Sequence, residues 1–148
     1  MERYIEYERC RAKYTELQEV FARVLIEKER LFTRILPSAI RYDKDKVQNT
    51  VDGNPLEDFV IAIEDKELDE KIAKYRQDLK DWQMLLDIKE AELRRSRAII
   101  DRVYVYRYID QYGINRIAKL MGYSRSQVYR KIQTINKKMR QNATNDVI

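Results

Sequence analysis

Apolar side chains recur along the first part of the chain at Tyr7, Cys10, Tyr14, Leu17, Phe21, Val24, Leu31 and Ile35, with Lys28 filling one slot of the series. The steps alternate between three and four residues. That is a heptad seam, and it predicts one helix from about Arg3 to Leu36. At the usual rise the helix spans roughly 51 Å. No glycine interrupts it, and Pro37 is expected to end it. A second series, Leu68, Ile72, Tyr75, Leu79, Trp82, Leu86, Lys89 and Leu93, alternates in the same way. It predicts a helix over about Leu56 to Arg95, with Lys89 as its polar slot. Neither helix buries its seam alone, so the two are expected to pair as a long antiparallel, coiled-coil-like hairpin. A parallel coiled coil with a second copy of the chain satisfies the same pattern. Trp82 and Tyr75 read as core fillers rather than ligand contacts, because aromatic side chains dominate core burial.

Residues 37–55 hold both prolines and one of the three glycines. Asp52-Gly53-Asn54-Pro55 is a strong turn signal, so this stretch is expected to be the connector loop. It is long for a bundle connection. Either Ile40, Tyr42, Val47 and Val51 clip it onto the helices, or it is a mobile loop. After the second helix, Val103 to Tyr108 alternates like a strand, yet Ile99, Val103, Tyr106 and Asp110 also follow helical spacing. A lone strand has no ladder to join, so residues 96–111 are expected to be helical. Gln111-Tyr-Gly113 is the stop.

Ile114 to Met139 then reads as two helices around a tight turn. Ile117, Leu120 and Met121 make one apolar face, Ala118 is small, and Gly122 allows the turn. Ser124-Arg-Ser-Gln127 fits a capping box that starts the second helix. Val128, Ile132, Ile135 and Met139 would face inward. This is the layout of a helix-turn-helix, whose second helix lies in the DNA major groove. The expected fold is therefore all-α: a hairpin region over 1–95, a three-helix helix-turn-helix module over 96–141, and a frayed polar tail over 142–148.

Charge sharpens that picture. Residues 94–140 carry thirteen Lys/Arg and two Asp, a net of +11, while residues 1–93 are net −5. A basic module of this kind suits a phosphate backbone, because each neutralised phosphate releases counterions. The chain has 148 residues, no histidine and one cysteine, Cys10. Ser/His/Asp and Cys/His catalysis are thereby excluded, and no zinc site is available. No P-loop or dinucleotide fingerprint is present. The chain reads as a non-enzyme with no cofactor and no metal. Cys10 falls on an apolar face and reads as a small buried hydrophobe. No window is apolar enough to span a bilayer, and the N-terminus is not a signal peptide, so a cytoplasmic protein with no membrane partner is expected.

Residues Tyr108 to Met139, YIDQYGINRIAKLMGYSRSQVYRKIQTINKKM, resemble region 4 of sigma-70-type factors. With Asp45-Lys-Val-Gln-Asn-Thr50 and the acidic stretch Leu56–Asp65, the chain is similar from about Tyr42 onward to phage late-gene transcriptional activators of the RinA/ArpU type. The resemblance implies a sequence-specific, DNA-binding regulator of phage or prophage late genes, acting in the bacterial host cell on double-stranded DNA, with host RNA polymerase as a further partner. The heptad helices allow a homo-oligomer. Arg125, Ser126, Tyr129, Arg130 and Gln133 are the candidates for base contact, since arginine reads guanine and glutamine reads adenine. Arg116, Lys131, Lys137 and Lys138 are the candidates for phosphate, which positions without specifying. One departure concerns Lys131, which stands where many such helices carry an apolar residue. A small terminase subunit of a phage and a helical scaffold protein are the alternatives. Mass in solution separates the first, and absence of DNA binding at low salt marks the second.

Overall fold

The computed structural model describes residues 2–44 and 55–146. The described residues form α1 (Arg3–Lys44), α2 (Pro55–Arg95), α3 (Ile99–Tyr104) continued by a π-helical turn (Val105–Ile109), α4 (Ile114–Met121) and α5 (Arg125–Asn145), with no strand among them. The chain is all-α, a long antiparallel helical hairpin followed by a small helical module. Two compact units divide it differently from the sequence: one holds residues 13–82, the other residues 1–12 and 83–148.

In the unit of residues 13–82, α1 and α2 pack along the two heptad seams. Val24, Leu31 and Ile72 are buried, and Tyr14, Leu17, Phe21, Leu68, Tyr75, Leu79 and Trp82 are half-buried. Tyr75 and Trp82 thus fill the seam. Lys28, the polar slot, is half-buried and satisfied from the facing helix: its Nζ donates to Asp65 at 2.6 Å and Asp69 at 2.5 Å. Those carboxylates hold the Lys28 ammonium above its ordinary pKa. The two seams thus face each other within one chain. Elsewhere, the first turns of α2 expose Leu56, Phe59, Val60 and Ile63, and α1 exposes Leu25, Ile26 and Phe32.

Three boundaries differ from expectation. α1 does not stop at Pro37 but runs to Lys44. A proline removes one hydrogen bond from the ladder and clashes with one carbonyl, which a long helix absorbs when helix-compatible residues follow. Pro55 instead opens α2, where its missing N–H is not needed. The connector thus shrinks at its start; its residues 45–54, including Val47, Val51 and the Asp52-Gly53-Asn54 turn, lie outside the described residues, as do the side chains of Ile35, Ile40 and Tyr42. Lastly, α5 runs on through Asn145, into the stretch expected to be tail. Thr144 Oγ1 donates to the Arg140 carbonyl, and Arg9 of α1 reaches Asp146 at 3.5 Å.

The second unit has its own core. Tyr4, Ile5 and Tyr7 of α1 and Leu93 of α2 join Val103, Tyr104, Val105, Ile117, Ala118, Val128, Ile132 and Ile135. Tyr104 stacks on Tyr4 and Tyr108 at centroid distances of 5.3 and 5.1 Å, and Tyr7 meets it edge-on at 6.1 Å. Edge-on and offset-stacked contacts suit the charge distribution of aromatic rings. Burial, then hydrogen bonding to Glu8, raises the Tyr104 phenol pKa well above normal, so it stays a neutral donor. Lys89, the polar slot of the second seam, donates to Glu6 at 3.1 Å. Cys10 is half-buried here, and desolvation raises its thiol pKa, as suits a packing residue rather than a nucleophile.

Candidate nucleic-acid interface

Ser96 sets where α2 ends. Its hydroxyl donates to Asp101 at 2.5 Å and accepts from the Ala98 N–H at 3.3 Å, so the backbone leaves the helix over residues 96–98. α3 then begins at Ile99, later than the expected start at 96. Val103, Tyr104 and Val105 are all buried, whereas Ile99 is 40% exposed. The buried face is therefore broader than the helical spacing predicts. Val103, Tyr104 and Val105 join one core with residues of α1, α4 and α5, so this segment is covered on more than one side. The turn closes where expected. Gln111 takes a left-handed φ of 57°, and the Tyr112 N–H reaches back to the Tyr106 carbonyl at 2.8 Å. Arg94 clamps Asp110 from α2 at 3.0 Å.

α3 and its π-helical turn brace the pair α4–α5. Ile117 and Ala118 of α4 pack into Val128, Ile132 and Ile135 of α5. Ile114, Ile117, Ala118 and Met121 form the inward stripe of α4. Leu120 lies off that stripe and is 50% exposed, contrary to its expected place in the core. The turn has the expected chemistry. Gly122 adopts a φ of 69°, and a Cβ there would meet no atom within 4 Å, so glycine is required by backbone conformation alone. Both halves of the capping box are made: Gln127 N–H donates to Ser124 Oγ at 3.3 Å, and Ser124 N–H donates to Gln127 Oε1 at 3.0 Å.

With Val128, Ile132 and Ile135 inward, Arg125, Ser126, Tyr129, Arg130 and Gln133 are all exposed on α5. The five base-contact candidates therefore share the outer surface of one helix. The phosphate candidates divide. Lys137 is exposed. Arg116 is exposed but lies over the Tyr112 ring at 3.9 Å, and Tyr112 in turn stacks on Tyr106 at 5.9 Å. Lys131 is half-buried, with its ammonium 5.8 Å from the Tyr123 ring centroid, which accounts for a lysine at an otherwise apolar slot. Lys138 is half-buried and donates to Glu2, the residue before α1. That pair holds the Glu2 carboxyl below the usual carboxylate range.

Two further features were not singled out from sequence. From Gln111 to Asn145 the chain has no Asp or Glu and eight Lys/Arg. A shallow groove also runs along α5, lined by Tyr129, Gln133, Lys137, Arg140, Gln141 and Thr144. Arg140 belongs to the exposed basic surface, and its i+3 spacing from Lys137 was the available signal. Among the described residues no cluster of His, Cys, Asp and Glu is built to hold a metal ion, and no helix is long and apolar enough to cross a membrane. Comparison of the chain with protein-family models, with curated proteins and with solved structures finds no match.

Proposed function

We propose that the chain is a sequence-specific DNA-binding transcriptional regulator, an activator of phage or prophage late genes as its sigma-region-4-like stretch suggests. One observation carries the reading: a capped helix, α5, follows a glycine turn and presents Arg125, Tyr129, Arg130 and Gln133 together on a surface without carboxylates. Placed in a major groove, the N-terminal end of such a helix meets base edges first. Arg125 and Arg130 suit guanine, and Gln133 suits adenine. The positive segment supplies the non-specific attraction. Activation would act through the host RNA polymerase.

Selection of duplexes from a randomised library, followed by titration at several salt concentrations, tests the reading. With six to ten phosphates contacted, affinity is expected to fall roughly 10³–10⁵-fold between 50 and 200 mM salt. Arg125→Ala and Arg130→Ala are each expected to cost about 1–3 kcal/mol on the selected site and to relax preference at particular base pairs. No enriched sequence together with a flat salt response would end the DNA-binding reading.

A further inference from the structure

α5 is longer than a groove-reading helix needs to be. It has 21 residues, and Arg140 lies about 15 Å along the axis beyond Arg130. With the N-terminal end of α5 at the base edges, its straight axis carries the second half away from those base pairs, because the groove winds around the duplex. That second half is chemically distinct. Lys137 and Arg140 lie three residues apart on one face, followed by Gln141 and Thr144, along the shallow groove that begins at Tyr129. The Thr144 hydroxyl proton is committed to the Arg140 carbonyl, which leaves its oxygen as an acceptor and fixes it beside that turn. The surface thus offers cations and amide donors with no carboxylate, and it suits phosphodiester oxygens rather than base edges.

Resting on the DNA-binding reading above, we infer that Lys137, Arg140 and Gln141 form a clamp for the sugar–phosphate backbone flanking the site read by Arg125 and Arg130, and that Lys138 is not part of it. Lys138 is one residue from Lys137 but pairs with Glu2, just before α1. A duplex phosphate would have to displace that carboxylate. Arg140 pairs with no carboxylate among the described residues, so its charge is available at no such cost. The clamp lengthens the footprint without adding sequence information, because phosphate contacts fix register only.

The test uses the full chain and duplexes carrying the selected site, either with ten flanking base pairs on each side or trimmed to the site itself. Arg140→Ala is expected to weaken binding to the long duplex about tenfold, equally for all base variants, and to lower the salt slope by about one. Arg140→Lys should restore most of that loss. On the trimmed duplex wild type should bind about tenfold more weakly, and Arg140→Ala should lose little more. Lys138→Ala should leave both duplexes and the salt slope nearly unchanged. Equal losses for Arg140→Ala on long and trimmed duplexes would overturn the clamp, as would no loss on either. A Lys138→Ala effect as large as that of Arg140→Ala would overturn the division between them. If wild type selects no duplex, the underlying reading fails instead, and the two failures are distinct.

Discussion

Glu2 shows how much one side chain just before α1 contributes to the module. Its carboxylate accepts from Lys138, and that bond together with the nearby Tyr4 hydroxyl lowers its pKa below the ordinary 4.5 against an opposing effect of burial. A carboxyl depressed in the folded state stabilises the protein above its unfolded pKa, and that contribution is lost as pH falls through the folded one. Glu2→Gln is therefore expected to destabilise at pH 7 and to match wild type well below pH 4. The two side chains are 39% and 40% exposed, so solvent screening keeps the effect under about 1 kcal/mol. Urea melts at pH 7 and pH 3 check this. An equal deficit at both pH values would assign the loss to packing rather than charge. Burial raises the Tyr4 phenol pKa, and the neighbouring Glu2 carboxylate adds to it. Both groups are thus held in the protonation states their contacts require across the physiological range.

At the scale of elements, α5 begins where it does because Ser124 and Gln127 satisfy each other's backbone N–H groups. Ser124→Ala is expected to cost about 1 kcal/mol, and Ser124→Asp much less, because aspartate caps nearly as well. Denaturant unfolding of the two variants measures the difference. An alanine variant as stable as wild type would show that packing alone fixes the helix start. The cap, the glycine turn and both heptad seams were legible in the sequence because each is set by neighbours a few residues away. Even the lysines interrupting the seams were legible as breaks, though not their partners, Asp65, Asp69 and Glu6. Pro37 misled because a local breaker signal says nothing about the length of helix ready to continue through it. Leu120 misled because a helix of only eight residues offers two overlapping apolar stripes, and the core takes the one built on Ile114, Ile117, Ala118 and Met121. Of the candidate site, the outward residues of α5 followed from knowing its inward ones. The engagement of Lys138 by a residue 136 positions away has no local signature.

At the scale of the molecule, the boundary expected after residue 95 is not where the compact units part. Tyr4, Ile5, Tyr7 and Leu93 belong to the core that supports α4 and α5. A fragment of residues 96–148 is thus expected to lack a fixed fold, while the full chain has one. Circular dichroism and amide dispersion of the fragment test this directly; a well-dispersed, cooperatively melting fragment would refute it. In the full chain Tyr4→Ala removes a wholly buried ring from the tyrosine stack and is expected to cost about 3–5 kcal/mol. Phe32→Ala, at a position 58% exposed, should cost far less. Similar losses for the two would mean that the stack adds nothing beyond ordinary helix pairing.

The tyrosine stack also bears on the order in which the protein becomes itself on the ribosome. Tyr4 and Tyr7 precede their partners Tyr104 and Tyr108 by so much chain that synthesis separates them by on the order of ten seconds at ordinary elongation rates. Closing contacts across so much chain is the slow class of folding event, because the loop entropy is lost before any packing is gained. Through that interval the hairpin helices can zip from local contacts, whereas Tyr4, Ile5 and Tyr7 have no core to enter. Competence of the basic helix then waits on contacts made far apart in the sequence, and a chain lacking Tyr4, Ile5 and Tyr7 carries α5 without the core that supports it.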